Sequence, residues 1–90
     1  MIVSSKYLHY DFNAGPNNVI QVTFNMSWVN VLLMDELNFN NYTLGRAYTY
    51  YGGKADTSPY NLRPPQNGHW NLVVDRGGEN ISTGVSVKVI

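Results

Sequence analysis

The chain has 90 residues, a formal net charge of zero and no cysteine. That length holds a single core, so residues 1–90 form one domain. Zero net charge gives no electrostatic drive toward nucleic acid or an anionic membrane, and the missing thiols exclude disulfides, thiolate metal sites and a cysteine nucleophile.

Charged residues make up 13% of the chain, about half the roughly 25% usual in soluble domains, so polarity falls to amides, hydroxyls and seven tyrosines. The N-terminal string MIVSSKYLHYDF lacks the apolar segment of a signal peptide. No run approaches the roughly 18 apolar residues of a membrane helix. Small secreted domains commonly depend on disulfides, so a cysteine-free domain points to a reducing, cytoplasmic compartment. Sequons at Asn25, Asn41 and Asn80 then reflect the abundance of asparagine rather than glycosylation.

Lys6 to Phe12 alternates, with Leu8, Tyr10 and Phe12 on one face and Tyr7, His9 and Asp11 on the other. Asn13 to Asn18 (NAGPNN) reads as a turn. Val19 to Asn25 is a second strand with Ile20, Val22 and Phe24 inward, and Trp28 to Met34 is apolar on both faces, as in a central strand covered on both sides. Asp35 to Gly45 has no period of two and reads as a loop with room for one helical turn. Arg46 to Tyr51 alternates again and is broken by Gly52-Gly53. After a turn at Asp56 to Pro59, Tyr60 to Arg63 is a short strand stopped by Pro64-Pro65. Asn67-Gly68 is a hairpin signal leading into His69 to Asp75, with Trp70, Leu72 and Val74 inward. Arg76 to Thr83 turns through Gly77-Gly78, and Val85, Val87 and Val89 face inward from the last strand. Seven or eight short strands without a long helix predict an all-β, antiparallel, jelly-roll-like β-sandwich.

The strings KYLHY, NVLLMDELNFNNY, GRAYTYYGG and PQNGHWNLVVDRGG, in that order and spacing, resemble the bacterial domain-of-unknown-function family 1883. The resemblance covers Tyr7 to Val89, while the NAGPNN turn and the TFNMSW segment are this chain's own. It implies a small all-β sandwich. Members stand alone or beside TIR domains, which implies a sensing or binding role, and the resemblance brings no activity with it.

Several groups of residues are candidates for function. Asp35 and Asp75 each end an apolar strand; if the strands neighbour and run the same way, they and Asn38, Asn40 or Glu36 could ligate calcium. The alternative is that each accepts hydrogen bonds from its own turn. The stretch holding Asn38, Phe39, Asn41, Tyr42, Arg46, Tyr48 and Tyr50 mixes rings, amides and one guanidinium. That mixture suits a carbohydrate-like ligand or a protein partner; otherwise the rings belong to the core. His9 and Asp11 could act as a base and its orienter in a small hydrolase or isomerase, though no nucleophile is placed beside them. His69 is read as a polar strand residue, Gly52-Gly53 and Gly77-Gly78 as turns or bulges, and Trp28 and Trp70 as core anchors. No cofactor fingerprint is present. The expectation is a noncatalytic binding or sensing module, centred on Asn38 to Tyr51, with self-assembly through an edge strand or the tyrosine face as an alternative.

Overall fold

Alternating apolar side chains place the strands, and turns rich in asparagine, glycine and proline separate them. The computed structural model describes residues 6–81 and 84–90, so the end of the turn expected at 76–83, and with it Ser82 of the third sequon, lies outside the described residues. The elements are β1 (Tyr7–Ala14), β2 (Ile20–Phe24), β3 (Val29–Met34), α1 (Glu36–Thr43), β4 (Tyr51–Ala55), β5 (Tyr60–Leu62), β6 (Gly68–Asp75) and β7 (Val85–Val89). One sheet has the order β1-β6-β3-β4 and the other β5-β2-β7, with every pairing antiparallel. This is the expected all-β sandwich. Among the described residues no helix is long and apolar enough to cross a membrane.

The main core lies between the sheets. Val29, Val31 and Leu33 of β3 and Trp70, Leu72 and Val74 of β6 meet Ile20, Val22 and Phe24 of β2. Leu8, Tyr10 and Phe12 close it from β1, and Val85 and Val87 from β7, on the faces their alternation predicts; Val89, expected inward with them, is instead exposed near the end of the chain. Leu32, Met34 and Val73 point the other way and are also buried, in a second cluster. The central strands β3 and β6 are therefore covered on both sides. The second cover is α1 with the chain that follows it, since Phe39, Tyr42 and Tyr48 pack on this cluster.

Further expectations are corrected. The segment at 35–45 is a helix of two turns rather than a loop with room for one. Asp35 is its N-cap and accepts a hydrogen bond from the Asn38 backbone N–H (2.9 Å), so the aspartate that ends β3 also starts α1. The alternating residues 46–50 are not a strand: Thr49 N–H donates to Asn38 Oδ1 (2.9 Å), while Tyr48 packs on the second cluster. Gly52-Gly53, expected to break a strand, lies inside β4 at positive φ (115° and 148°). Finally, Trp70 is buried, but Trp28 precedes β3 and is only half-buried, so one of the two expected anchors lies at the surface.

Gly52 is required twice over. Its φ of +115° disfavours any side chain, and a Cβ there would overlap the Val31 carbonyl oxygen of the neighbouring strand. Gly53, at φ +148°, would place its Cβ in open space. Gly53→Ala is expected to cost roughly 1–2 kcal/mol of backbone strain. Gly52→Ala should add roughly 1–3 kcal/mol of overpacking. Urea midpoints of the two variants check this, and equal losses would show that β4 moves off β3 at no cost.

Candidate functional site

The outer face of the four-stranded sheet carries the stretch singled out in the sequence. Alternation along β1 puts Tyr7, His9 and Asp11 there, and alternation along β6 adds Asn71, Val73 and Asp75. Helix α1 crosses this face and is held by contacts at both of its ends.

At the C-terminal end of β6, Asp75 is buried, with 8% of its surface exposed. Its carboxylate accepts from three elements: Tyr42 Oη of α1 to Oδ2 (2.7 Å), Asn30 Nδ2 of β3 to Oδ1 (2.8 Å) and Gly77 N of the following turn to Oδ1 (3.1 Å). Three donors offset the loss of water around a carboxylate that would otherwise be costly to bury. At the other end, Asn71 is 2% exposed and links two elements. Its Oδ1 accepts from His9 Nε2 (2.8 Å), and its Nδ2 donates to Glu36 Oε1 (3.2 Å) in the first turn of α1.

Between these anchors lies a chain of rings. Phe39 stacks on His9 with centroids 4.0 Å apart and planes 14° from parallel. Tyr7 meets Tyr42 edge to face at 5.2 Å, Tyr42 meets Tyr48 the same way at 5.1 Å, and Tyr48 reaches Tyr50 at 5.8 Å. Burial pushes the Tyr42 phenol far above its ordinary value of 10.0, and the hydrogen bond to Asp75 and its negative charge push it further the same way. Burial, then the charge of Asp75, raise Tyr48 as well.

The structure thus divides the expected site residues. Asn38, Phe39, Tyr42 and Tyr48 face inward and hold α1 and the following segment in place. Asn41 is half-buried and its carbonyl accepts from Arg46 N (2.8 Å). Arg46 and Tyr50 are exposed. Tyr51, the last residue of the expected stretch, is exposed but pairs with Leu33 and meets Trp70 edge to face, on the side of the sheet away from α1; Leu37 and Leu44 are also exposed and were not singled out from the sequence. Their signal was the seven-residue spacing of Leu37 and Leu44, which shares one helix face only once the segment is known to be helical.

Asp35 and Asp75 do not converge. Their strands do neighbour but run antiparallel, pairing Asn30 with Asp75 and Met34 with Asn71, so the two carboxylates sit at opposite ends of the ladder. Each accepts from its own turn, Asp35 from Asn38 N and Asp75 from Gly77 N. His9 and Asp11 do share a face, but His9, though exposed, donates from Nε2 to Asn71 and has one ring face stacked on Phe39. Arg76, next to Asp75, donates from Nε to the Trp28 carbonyl (3.2 Å) and lies 5.1 Å from the Trp28 ring centroid. Lys54 lies over the same ring at 5.0 Å.

Tyr42→Phe removes one of three donors to a buried carboxylate, and a loss of about 1.5–3 kcal/mol is expected in chemical denaturation. Alkaline pH probes the same bond. A phenol whose pKa is higher folded than unfolded contributes stability that is complete below pH 10.0 and is lost as pH climbs from there toward the folded value. Wild-type stability should therefore fall above pH 10.0, and the fall should be shallower in Tyr42→Phe; parallel curves would show that Tyr42 ionises freely in the folded state.

Comparison with known proteins places the chain in one family. The family described as Domain of unknown function (DUF1883) matches residues 5–90. Neither the curated proteins nor the solved structures yield a match. The match takes in both sheets and the whole α1 cap, and the chain belongs to the DUF1883 family.

Proposed function

We propose that this is a noncatalytic binding domain of the cytoplasm that engages a protein partner through the outward surface of residues 37–51. The observation that carries the reading is where apolar surface remains. Among the described residues six large hydrophobic side chains are exposed, and three belong to this surface: Leu37 (68%), Leu44 (63%) and Tyr50 (46%). Arg46 lies among them and is exposed too. Tyrosine and arginine are enriched at interface centres, and the exposed leucines add apolar area that a partner would cover.

The inward residues explain why such a surface can be presented at all. Asn38 bridges Asp35 and the Thr49 backbone, Phe39 sits on His9, and Tyr42 is tied to Asp75. A short helix with none of its residues fully buried would not hold its shape alone. These ties order the segment before a partner arrives, which lowers the entropy cost of binding. A carbohydrate-like ligand suits this surface less well, because Tyr42 and Tyr48 meet their neighbours edge to face instead of offering open ring faces. The cytoplasm fits a domain without cysteine, whose stability owes nothing to oxidation.

The test pairs Leu44→Ser/Tyr50→Ala with Lys88→Ala, a control on β7 in the other sheet. Affinity capture identifies partners, and each purified partner is titrated against all three proteins. The double variant should keep the wild-type melting curve and bind about thirtyfold more weakly, a loss of about 2 kcal/mol. Sedimentation of the free protein shows whether the partner is a second copy. Equal binding by the double variant and the control would overturn the assignment.

A further inference from the structure

A second surface lies at the end of the sheet where β1 ends and β6 begins, beyond the Asp11–Asn71 rung. The Asn13 to Asn18 turn and the Asn67-Gly68 turn come together there and enclose an open hollow of about 360 Å³. Its walls include Asn13, Gly15, Asn18, Asn67 and His69. Among these described lining residues there is no carboxylate, lysine or arginine. The volume falls within the range of small-ligand sites.

We propose that this hollow binds a neutral, polyhydroxylated ligand of the saccharide class. Side-chain amides offer a donor and an acceptor side by side, the pairing that vicinal hydroxyls require. Asn13 and His69 face each other on one rung of the β1–β6 ladder. His69 donates from Nδ1 to Asn13 Oδ1 (3.1 Å). That bond leaves Asn13 Nδ2 as a donor and the second ring nitrogen of His69 as an acceptor, and the Asn67 amide adds one of each. A lining without fixed charge gives no counter-ion to phosphate or carboxylate, which turns the site from anions toward neutral hydroxyls.

The walls are held before any ligand enters. Asn18 Oδ1 accepts from Gly15 N (2.9 Å), Asn18 N donates to Gly15 O (2.9 Å), and Arg63 Nη1 donates to the Pro16 carbonyl (3.1 Å). On the other wall the buried Trp70 donates from Nε1 to Gln66 O (3.1 Å), just before Asn67. Gly15 is buried, and a Cβ there would collide with the Asn67 side chain and push its amide aside. Such pre-organisation favours a small rigid ligand over a flexible one.

The test is a titration of the isotope-labelled protein, followed by amide NMR, with N-acetylglucosamine, galactose, trehalose and inorganic phosphate up to tens of millimolar. At least one sugar should shift the side-chain amides of Asn13 and Asn67 and the backbone amides of Gly15 and Gly68. Asn13→Ala and His69→Ala, both at exposed rungs, should keep the remaining spectrum and bind that sugar about tenfold more weakly. The proposal is overturned if no sugar shifts these signals, if shifts fall only on residues 37–51, or if phosphate moves the same amides as strongly. Each outcome is independent of whether residues 37–51 bind a protein.

Discussion

Two strands that are apolar on both faces set the terms for the rest of this fold. β3 and β6 pair at the centre of one sheet, and their side chains alternate between two buried clusters. One face is covered by the second sheet, as in any sandwich. The other needs a cover of its own, because Leu32, Met34 and Val73 each lose roughly 1.5–3 kcal/mol if left in water. A chain of 90 residues has no third sheet to offer, so a short helix and a run of rings do the work.

That cover is thin, and polar bonds supply what apolar area does not. Asp75 draws in α1, β3 and its own turn, while Asn71 links β1 to the first turn of α1. Both polar side chains are buried, and both have partners, so neither carries the penalty of an unsatisfied group. The arrangement also explains why aromatic residues cluster here. Their edges and faces fill the shallow space between a helix and a flat sheet more fully than aliphatic side chains of similar number.

The functional reading follows from the same constraint. A helix spent on covering a sheet turns one side inward, and what it shows outward is free to vary. Leu37 and Leu44, with Arg46 and Tyr50, occupy that outward side. The amide-lined hollow is built differently, from two turns at the end of a ladder, where backbone geometry rather than a helix face sets the shape. The two surfaces thus rest on separate parts of the fold.

Local pattern by itself determined much of this protein. A side chain's inward or outward direction in a strand depends only on parity, so the shared faces of Leu8 with Tyr10 and Phe12, or Trp70 with Leu72 and Val74, follow from alternation alone. Double-sided burial of β3 was equally legible, since no polar residue interrupts Val31 to Met34. The family was also readable, from strings spread along nearly the whole chain. The tertiary structure decided the rest. Residues 46–50 alternate as a strand does, yet the pull of Asn38 on Thr49 and the packing of Tyr48 override that period. Whether Asp35 and Asp75 meet depends on strand direction, which parity does not encode; antiparallel pairing sends them to opposite ends. Which tyrosines carry structure and which face solvent depends on where α1 docks, and that is fixed by Asp75, at least 32 residues away in sequence from any residue of the helix. Long-range hydrogen bonds of this kind leave no trace in local pattern, because each partner is an ordinary polar residue until the fold brings the two together.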